Sequence, residues 1–255
     1  VKAVVIDLDG TIYHGNTLIA GADKAIDLLG KRSKLLFLTN NSTRSREEYV
    51  QKLKEFGIHC TKSQVITSGY VSSRYIKQHY VNGNIYVVGE GGLKRELVDQ
   101  GISLCEENCS VVLVGLDKGF TYEKLSTAVT LIRAGAAFIA TNTDPFLITH
   151  EQIKPGAGAL VAAIERASGR EAMVTGKPSR FIGKLILTEL KVPAHEILIV
   201  GDRLETDILM GLNGGMRTAL VLTGASSMND VEQSNIIPDY IVESIGEIPD
   251  LLDYV

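Results

Sequence analysis

Long apolar runs are missing from this 255-residue sequence. No stretch approaches the roughly 20 residues that a membrane-spanning helix needs, and none resembles a secretory leader. A basic field is missing as well. The 26 lysines and arginines stand against 30 aspartates and glutamates, mixed along the chain, for a formal net charge of −4. That balance argues against nucleic acid as a partner. Cysteine is scarce, at three residues (Cys60, Cys105 and Cys109), an odd number that fits a reducing, cytoplasmic setting. Cys105 and Cys109 have no flanking Cys or His to complete a zinc site. Free thiols are therefore expected there, with a local disulfide as the lesser alternative. Internal repeats, low-complexity tracts and a Walker-type phosphate loop are also lacking, and no Ser–His pairing stands out. The chain is 45% hydrophobic and 22% charged, an ordinary globular composition, and long enough for one large or two modest domains.

The organising stretch is Val4-Val5-Ile6-Asp7-Leu8-Asp9-Gly10-Thr11. An apolar run ends in two carboxylates one residue apart, which strand alternation would set on the same side. Two such charges repel unless a cation or a proton relieves them. The bland alternative is an Asx-type turn. Beyond it, Ala22, Ala25, Ile26 and Leu29 recur at helical spacing, and Leu35–Leu38 is a second apolar run ending in Thr39-Asn40. Ser45 and Glu48 form a capping box before a helix closed by Gly57. Strand, helix, strand, helix at this rhythm predicts a parallel sheet, which binds ligands at the carboxyl ends of its strands.

After a helix over roughly 69–80 and a turn at 81–84, the pattern starts afresh. Strands are expected at 85–88, 111–114 and 138–141, with helices between them, as a second small α/β unit inserted in the first. Met173-Val174-Thr175 is read as the return to the first sheet. Ile197–Val200, the plainest buried strand, ends in Gly201-Asp202-Arg203, and further strands follow at 219–222 and 240–242. The expected domains are thus 1–80 with 173–255, and 81–172.

Four polar clusters follow four apolar strands: Asp7/Asp9, Thr39/Asn40, Lys177, and Asp202 with Asp207. Each alone has a structural explanation, as a turn, a helix cap or a solvated lysine. Together they bring carboxylates, a hydroxyl, an amide and an ammonium to one sheet edge, an inventory suited to Mg²⁺-assisted phosphoryl transfer. His14 is expected in a loop, and His150 is expected to be exposed.

Asp-Leu-Asp-Gly-Thr at 7–11, Thr39-Asn40, Lys177 in Gly-Lys-Pro, and Gly-Asp-Arg-Leu-Glu-Thr-Asp at 201–207 resemble, in order, the four motifs of the haloacid dehalogenase superfamily. The long insertion between Asn40 and Lys177 resembles the NagD-like, p-nitrophenyl phosphatase branch (subclass IIA). So do Thr39-Asn40-Asn41 and Asn142-Thr143-Asp144. The resemblance implies a Rossmann-like, three-layer α/β core with an inserted α/β cap that chooses the substrate. It implies Asp7 as nucleophile, Asp9 as general acid and base, and Lys177 as the group that neutralises charge. Thr39 and Asn40 would hold the phosphoryl group. Mg²⁺ would be bound by Asp7, the Asp9 carbonyl and Asp202, with Asp207 in support. Asn142 and Asp144 are expected either to touch substrate from the cap or to form a turn. The expected partner is a small phosphorylated metabolite, and a homodimer is a candidate state. Phosphoryl transfer to a sugar or alcohol, and a receiver-like module phosphorylated on Asp7, are the alternatives.

Overall fold

A computed structural model describes residues 1–148 and 153–252. They divide into two compact units: residues 1–39, 50–66 and 177–252 form the first, and residues 40–49, 67–148 and 153–176 the second. The chain passes between units at the Thr39–Asn40, Tyr49–Val50, Ile66–Thr67 and Gly176–Lys177 peptide bonds, the first and last of which join residues singled out in the sequence.

The first unit is built on a six-stranded sheet in the order Tyr240–Val242, Arg217–Val221, Ile197–Gly201, Ala3–Asp7, Lys34–Thr39, Val65–Thr67. Its registered pairs, from Tyr240–Val242 across to Lys34–Thr39, are parallel. Ala3–Asp7 and Ile197–Gly201 are buried at every position, as expected of strands covered on both faces. Ile6 is registered with Val200 and Asp7 with Leu38, so Asp7, Thr39 and Asp202 leave the sheet at the same end. The helix Ala22–Gly30 buries Ala22, Ala25, Ile26 and Leu29, the one-sided stripe that its spacing predicts. The helix Arg180–Leu190 is capped by the Ser179 hydroxyl, which accepts from the Ile182 N–H. His14 lies in a two-residue strand paired with Thr17–Leu18 rather than in an open loop.

The second unit carries a parallel sheet in the order Met173–Val174, Ala137–Ala140, Val111–Val114, Ile85–Val88. Met173 is registered with Ile139 and Val174 with Ala140. The stretch read as a return to the first sheet therefore belongs to this one. The Thr175 and Gly176 N–H groups continue the ladder to the carbonyls of Ala140 and Thr141, so the chain leaves this unit only at Lys177. The helix Ser68–His79 groups here as well, because Ile76 packs with Ile85, Leu93 and Leu97. So does the start of the helix Arg46–Glu55, whose capping box joins Ser45 and Glu48 as expected. There Arg46 Nε donates to Glu96 at 2.9 Å and the guanidinium lies 3.6 Å over the Tyr70 ring, all buried.

The expectation of free thiols at Cys105 and Cys109 is corrected: the two sulfurs are bonded to each other. Asn108, at φ 53, turns the chain back between them, and their Cα atoms are 6.0 Å apart, within the range a disulfide spans. Cys60 is free. Among the described residues no helix is long and apolar enough to cross a membrane. His150 lies outside the described residues.

Candidate active site

The first unit gathers Asp7, Lys177, Asp202 and Asp207, all buried, at the carboxyl ends of its strands. Lys177 Nζ donates to Asp7 Oδ1, and to Asp207 Oδ1 at 2.6 Å. This is a buried, doubly paired ammonium and not the solvated loop lysine of the bland reading. One carboxylate oxygen from each of Asp7, Asp202 and Asp207 lies within 4.8 Å of the others.

Asp207 reaches the cluster through a turn of π-helix over Leu204–Ile208, a local irregularity frequent at functional sites. Its second oxygen accepts from the Arg203 N–H at 3.3 Å and the Thr206 hydroxyl at 3.4 Å. Asp202 is held by residues that sequence reasoning passed over. The Ala225 N–H donates to its carboxylate at 2.7 Å, and the Ser226 N–H to its backbone carbonyl at 2.9 Å. A Cβ on Gly224 would collide with that carboxylate. Next door, the Thr223 hydroxyl donates to the Gly10 carbonyl at 2.6 Å. The available signal was position: Thr223-Gly224 follows the strand Arg217–Val221 off the same sheet edge.

Asp7 and Asp9 differ in their setting. The strand ends at Asp7, and the chain then folds over Leu8, whose carbonyl accepts from the N–H groups of Ile12 at 2.9 Å and Thr11 at 3.3 Å. Gly10 takes the left-handed conformation that this turn needs, at φ 90. Asp7 is consequently buried and Asp9 exposed, and the crowded carboxylates are Asp7, Asp202 and Asp207.

That crowding shows in the electrostatics. Burial pushes the Asp7 carboxyl well above the usual range; Lys177 opposes the shift, while Asp207 and Asp202 add to it. Burial, and then Asp207, push Asp202 up to about 7. For Lys177 burial works against the charge, but Asp207 and Asp7 more than offset it and hold the ammonium protonated. Fully ionised, the three carboxylates exceed the one ammonium by two negative charges, which one divalent cation would balance. The donors are hard carboxylate oxygens, the type Mg²⁺ prefers. The residues present therefore fit the metal.

Thr39 is buried at the end of its strand in the first unit. Asn40 belongs to the second unit, where its Nδ2 donates to both oxygens of Asp144, at 3.2 and 3.3 Å. Asn142 is buried in the same unit and accepts from the Thr141 hydroxyl at 2.8 Å.

A parallel sheet with a lysine-centred carboxylate cluster at its carboxyl edge defines a class: α/β proteins whose site suits metal-assisted phosphoryl transfer. Comparison with known proteins specifies it. The family model of haloacid dehalogenase-like hydrolases matches residues 4–103, and a second HAD-like hydrolase model matches 174–248. The acid sugar phosphatase of Staphylococcus epidermidis is 38% identical over 96% of this chain and 95% of its own. NagD of Escherichia coli superposes with a TM-score of 0.89 at 33% identity, over 97% of this chain and 98% of its own. A glycerol phosphate phosphatase of Mycobacterium tuberculosis, solved in complex with magnesium, does so with 0.90 at 32% identity. That match covers 96% of this chain and 75% of the other. The chain belongs to the haloacid dehalogenase-like hydrolases, in the NagD-like branch of phosphatases.

Proposed function

We propose that the protein is a Mg²⁺-dependent phosphomonoesterase that works through an aspartyl-phosphate on Asp7, with sugar and polyol phosphates as its substrates. The observation that carries this reading is the buried cluster of Asp7, Asp202 and Asp207 around Lys177. Asp7 supplies the nucleophilic carboxylate oxygen. It forms a bond to phosphorus as the ester P–O bond breaks, and Asp9 gives its proton to the departing alkoxide. Water then attacks the acyl phosphate. Asp9 takes the proton from that water, and the Asp7 carboxylate is released with inorganic phosphate. The exposure of Asp9 suits a group that exchanges protons with leaving group and solvent.

Lys177, fixed between Asp7 and Asp207, neutralises charge on the nucleophile and on the phosphoryl oxygens. Thr39 and Asn40 hold those oxygens. Asp7, Asp202 and the Asp9 carbonyl would hold Mg²⁺, which when bound stabilises the negative charge that accumulates on the phosphoryl group. Asp207 acts through Lys177. The second unit is, by this reading, the cap domain. The named activities of the Staphylococcus and Mycobacterium relatives support sugar and polyol phosphates as the class to test first.

The experiment is a panel of hexose phosphates, glycerol phosphate, pyridoxal phosphate, nucleoside monophosphates and p-nitrophenyl phosphate, assayed for phosphate release with Mg²⁺ and with EDTA. Release that needs Mg²⁺ and is fastest for the sugar and polyol esters is expected. Silence across the panel with Mg²⁺, or undiminished release in EDTA, refutes the reading.

A further inference from the structure

We propose that Thr223 is a positioning residue, whose hydroxyl grips the turn that carries Asp9 and so sets the geometry of proton transfer to the leaving group. This rests on the reading of Asp9 as the general acid, and it concerns the first unit alone. Asp9 is exposed, beyond the end of its strand, in a turn bonded to itself. The Gly10 N–H donates to the Tyr13 carbonyl at 2.8 Å, and the Ile12 N–H to the Leu8 carbonyl at 2.9 Å. Such bonds set the shape of the turn, not its placement at the sheet edge. Gly10, next to Asp9, is the joint: at φ 90 and without a Cβ, its backbone is free to swing unless it is held. Tyr13 holds its N–H from within the turn. Its carbonyl accepts from the Thr223 hydroxyl at 2.6 Å, a hold from outside the turn.

That hold reaches across the sheet edge. Thr223 follows the strand Arg217–Val221, and Ile197–Gly201 lies between that strand and Ala3–Asp7. The hydroxyl thus bonds the turn from two strands away, past Asp202. Two glycines allow the approach, since a Cβ on Gly10 or on Gly224 would collide with the Asp202 carboxylate. The Ala225 and Ser226 N–H groups donate to Asp202 from the same segment, at 2.7 and 2.9 Å. One loop therefore holds two neighbouring strand ends, and Thr223 is its grip on the one that bears the acid.

The chemistry supplies a signature. As the ester P–O bond breaks, the Asp9 carboxyl gives its proton to the departing oxygen, which leaves a carboxylate and a neutral alcohol. A glycerol alkoxide is a strong base and needs that proton to depart. A p-nitrophenolate is a weak base and departs as the anion. Misplacing Asp9 therefore slows the first ester far more than the second, whereas general damage to the site slows both alike.

The test compares Thr223→Val, Thr223→Ala, Thr223→Ser, Asp9→Asn and the Asp9→Asn/Thr223→Val double variant. Each is assayed on glycerol phosphate and on p-nitrophenyl phosphate, at Mg²⁺ concentrations shown by titration to saturate that variant, with melting temperatures taken alongside. The quantity read is kcat/KM, which includes formation of the aspartyl-phosphate and not its hydrolysis. Asp9→Asn is expected to lose more on glycerol phosphate than on p-nitrophenyl phosphate. Thr223→Val and Thr223→Ala show the same selectivity, with the ratio of the two kcat/KM values falling about tenfold or more, part of the roughly 10²–10⁴ that acid–base catalysis supplies. Thr223→Ser keeps the hydroxyl and stays near the parent ratio. On glycerol phosphate the double variant is no slower than Asp9→Asn alone.

Equal losses on the two esters, or no loss, overturn the proposal. So does a Thr223→Ser variant as selective as Thr223→Val, and so do losses that multiply in the double variant. An Asp9→Asn variant without selectivity removes Asp9 as the acid and the proposal with it, while leaving the nucleophilic role of Asp7 standing.

Discussion

Asp7→Asn separates what the cluster does for the reaction from what it costs the fold. The replacement keeps the shape of the side chain and removes one of three buried negative charges. At an effective dielectric near 20, like charges within 4.8 Å repel by roughly 3.5 kcal/mol, so Asp202 and Asp207 together oppose the Asp7 charge by roughly 7 kcal/mol. Its attraction to Lys177 at hydrogen-bond distance is roughly 6 kcal/mol on the same scale. These terms nearly cancel, which leaves desolvation to decide, and desolvation favours the neutral form. The folded pKa of Asp7 thus lies above its unfolded value, and the folded state binds more protons between the two. Stability therefore falls as pH rises through that window, and at pH 7.5, above the unfolded value, the fold without metal carries that loss.

Asparagine has no such charge. In EDTA at pH 7.5 the variant is expected to gain about 1–2 kcal/mol, a rise of roughly 2–8 °C in melting temperature. The gain shrinks as pH is lowered toward 4, where the native carboxyl is already protonated. Phosphate release with Mg²⁺ falls to background, because the nucleophile is gone. Calorimetry at several pH values in EDTA, with a p-nitrophenyl phosphate assay beside it, reads both outcomes. A variant that melts several degrees lower than the parent in EDTA refutes the electrostatic account, and one that keeps its activity refutes the role of Asp7.

Gly224→Ala places a Cβ against the Asp202 carboxylate and should raise the Mg²⁺ concentration needed for half-maximal rate by tenfold or more. A titration of rate against Mg²⁺ checks this, and an unchanged midpoint refutes the bracing role of the 223–226 segment. Glu96→Ala leaves the Arg46 guanidinium buried without its carboxylate, against the Tyr70 ring. Such a loss costs about 3–5 kcal/mol, and should appear in calorimetry as a lowered transition, with Glu96→Gln less affected.

The residues legible in the sequence are those at the ends of continuous apolar runs. Asp7, Thr39 and Asp202 follow strands whose burial on both faces forces such runs, and parallel pairing brings the ends to one edge. Lys177 follows a two-residue strand of the other unit, and its Gly-Lys-Pro setting marked it out by resemblance. Alternation reaches no further than the strand, which stops at Asp7, so the turn that follows decides where Asp9 lies. Met173–Val174 belongs to the second sheet, which the sequence does not announce because so short a strand carries no preference of its own. Its partner at Ile139–Ala140, more than thirty residues earlier, decides where it pairs.

What the sequence hid is the support behind the visible residues. Thr223-Gly224-Ala225 reads as a turn, and nothing local indicates that its backbone N–H braces an acid more than twenty residues away. The Asn40–Asp144 contact spans 104 residues and joins two stretches, each of which has a sufficient explanation as a turn. Both cases share a physical cause. A strand or helix is announced by periodicity, because its own neighbours satisfy its backbone. A loop that orients a catalytic group is satisfied by partners distant in sequence, and it leaves no period to detect. Within this chain, the groups expected to react are visible in order of sequence, while the groups that hold them become visible only in the folded arrangement. Substitution at Gly224, behind Asp202, therefore tests the arrangement more sharply than removal of a reacting group does.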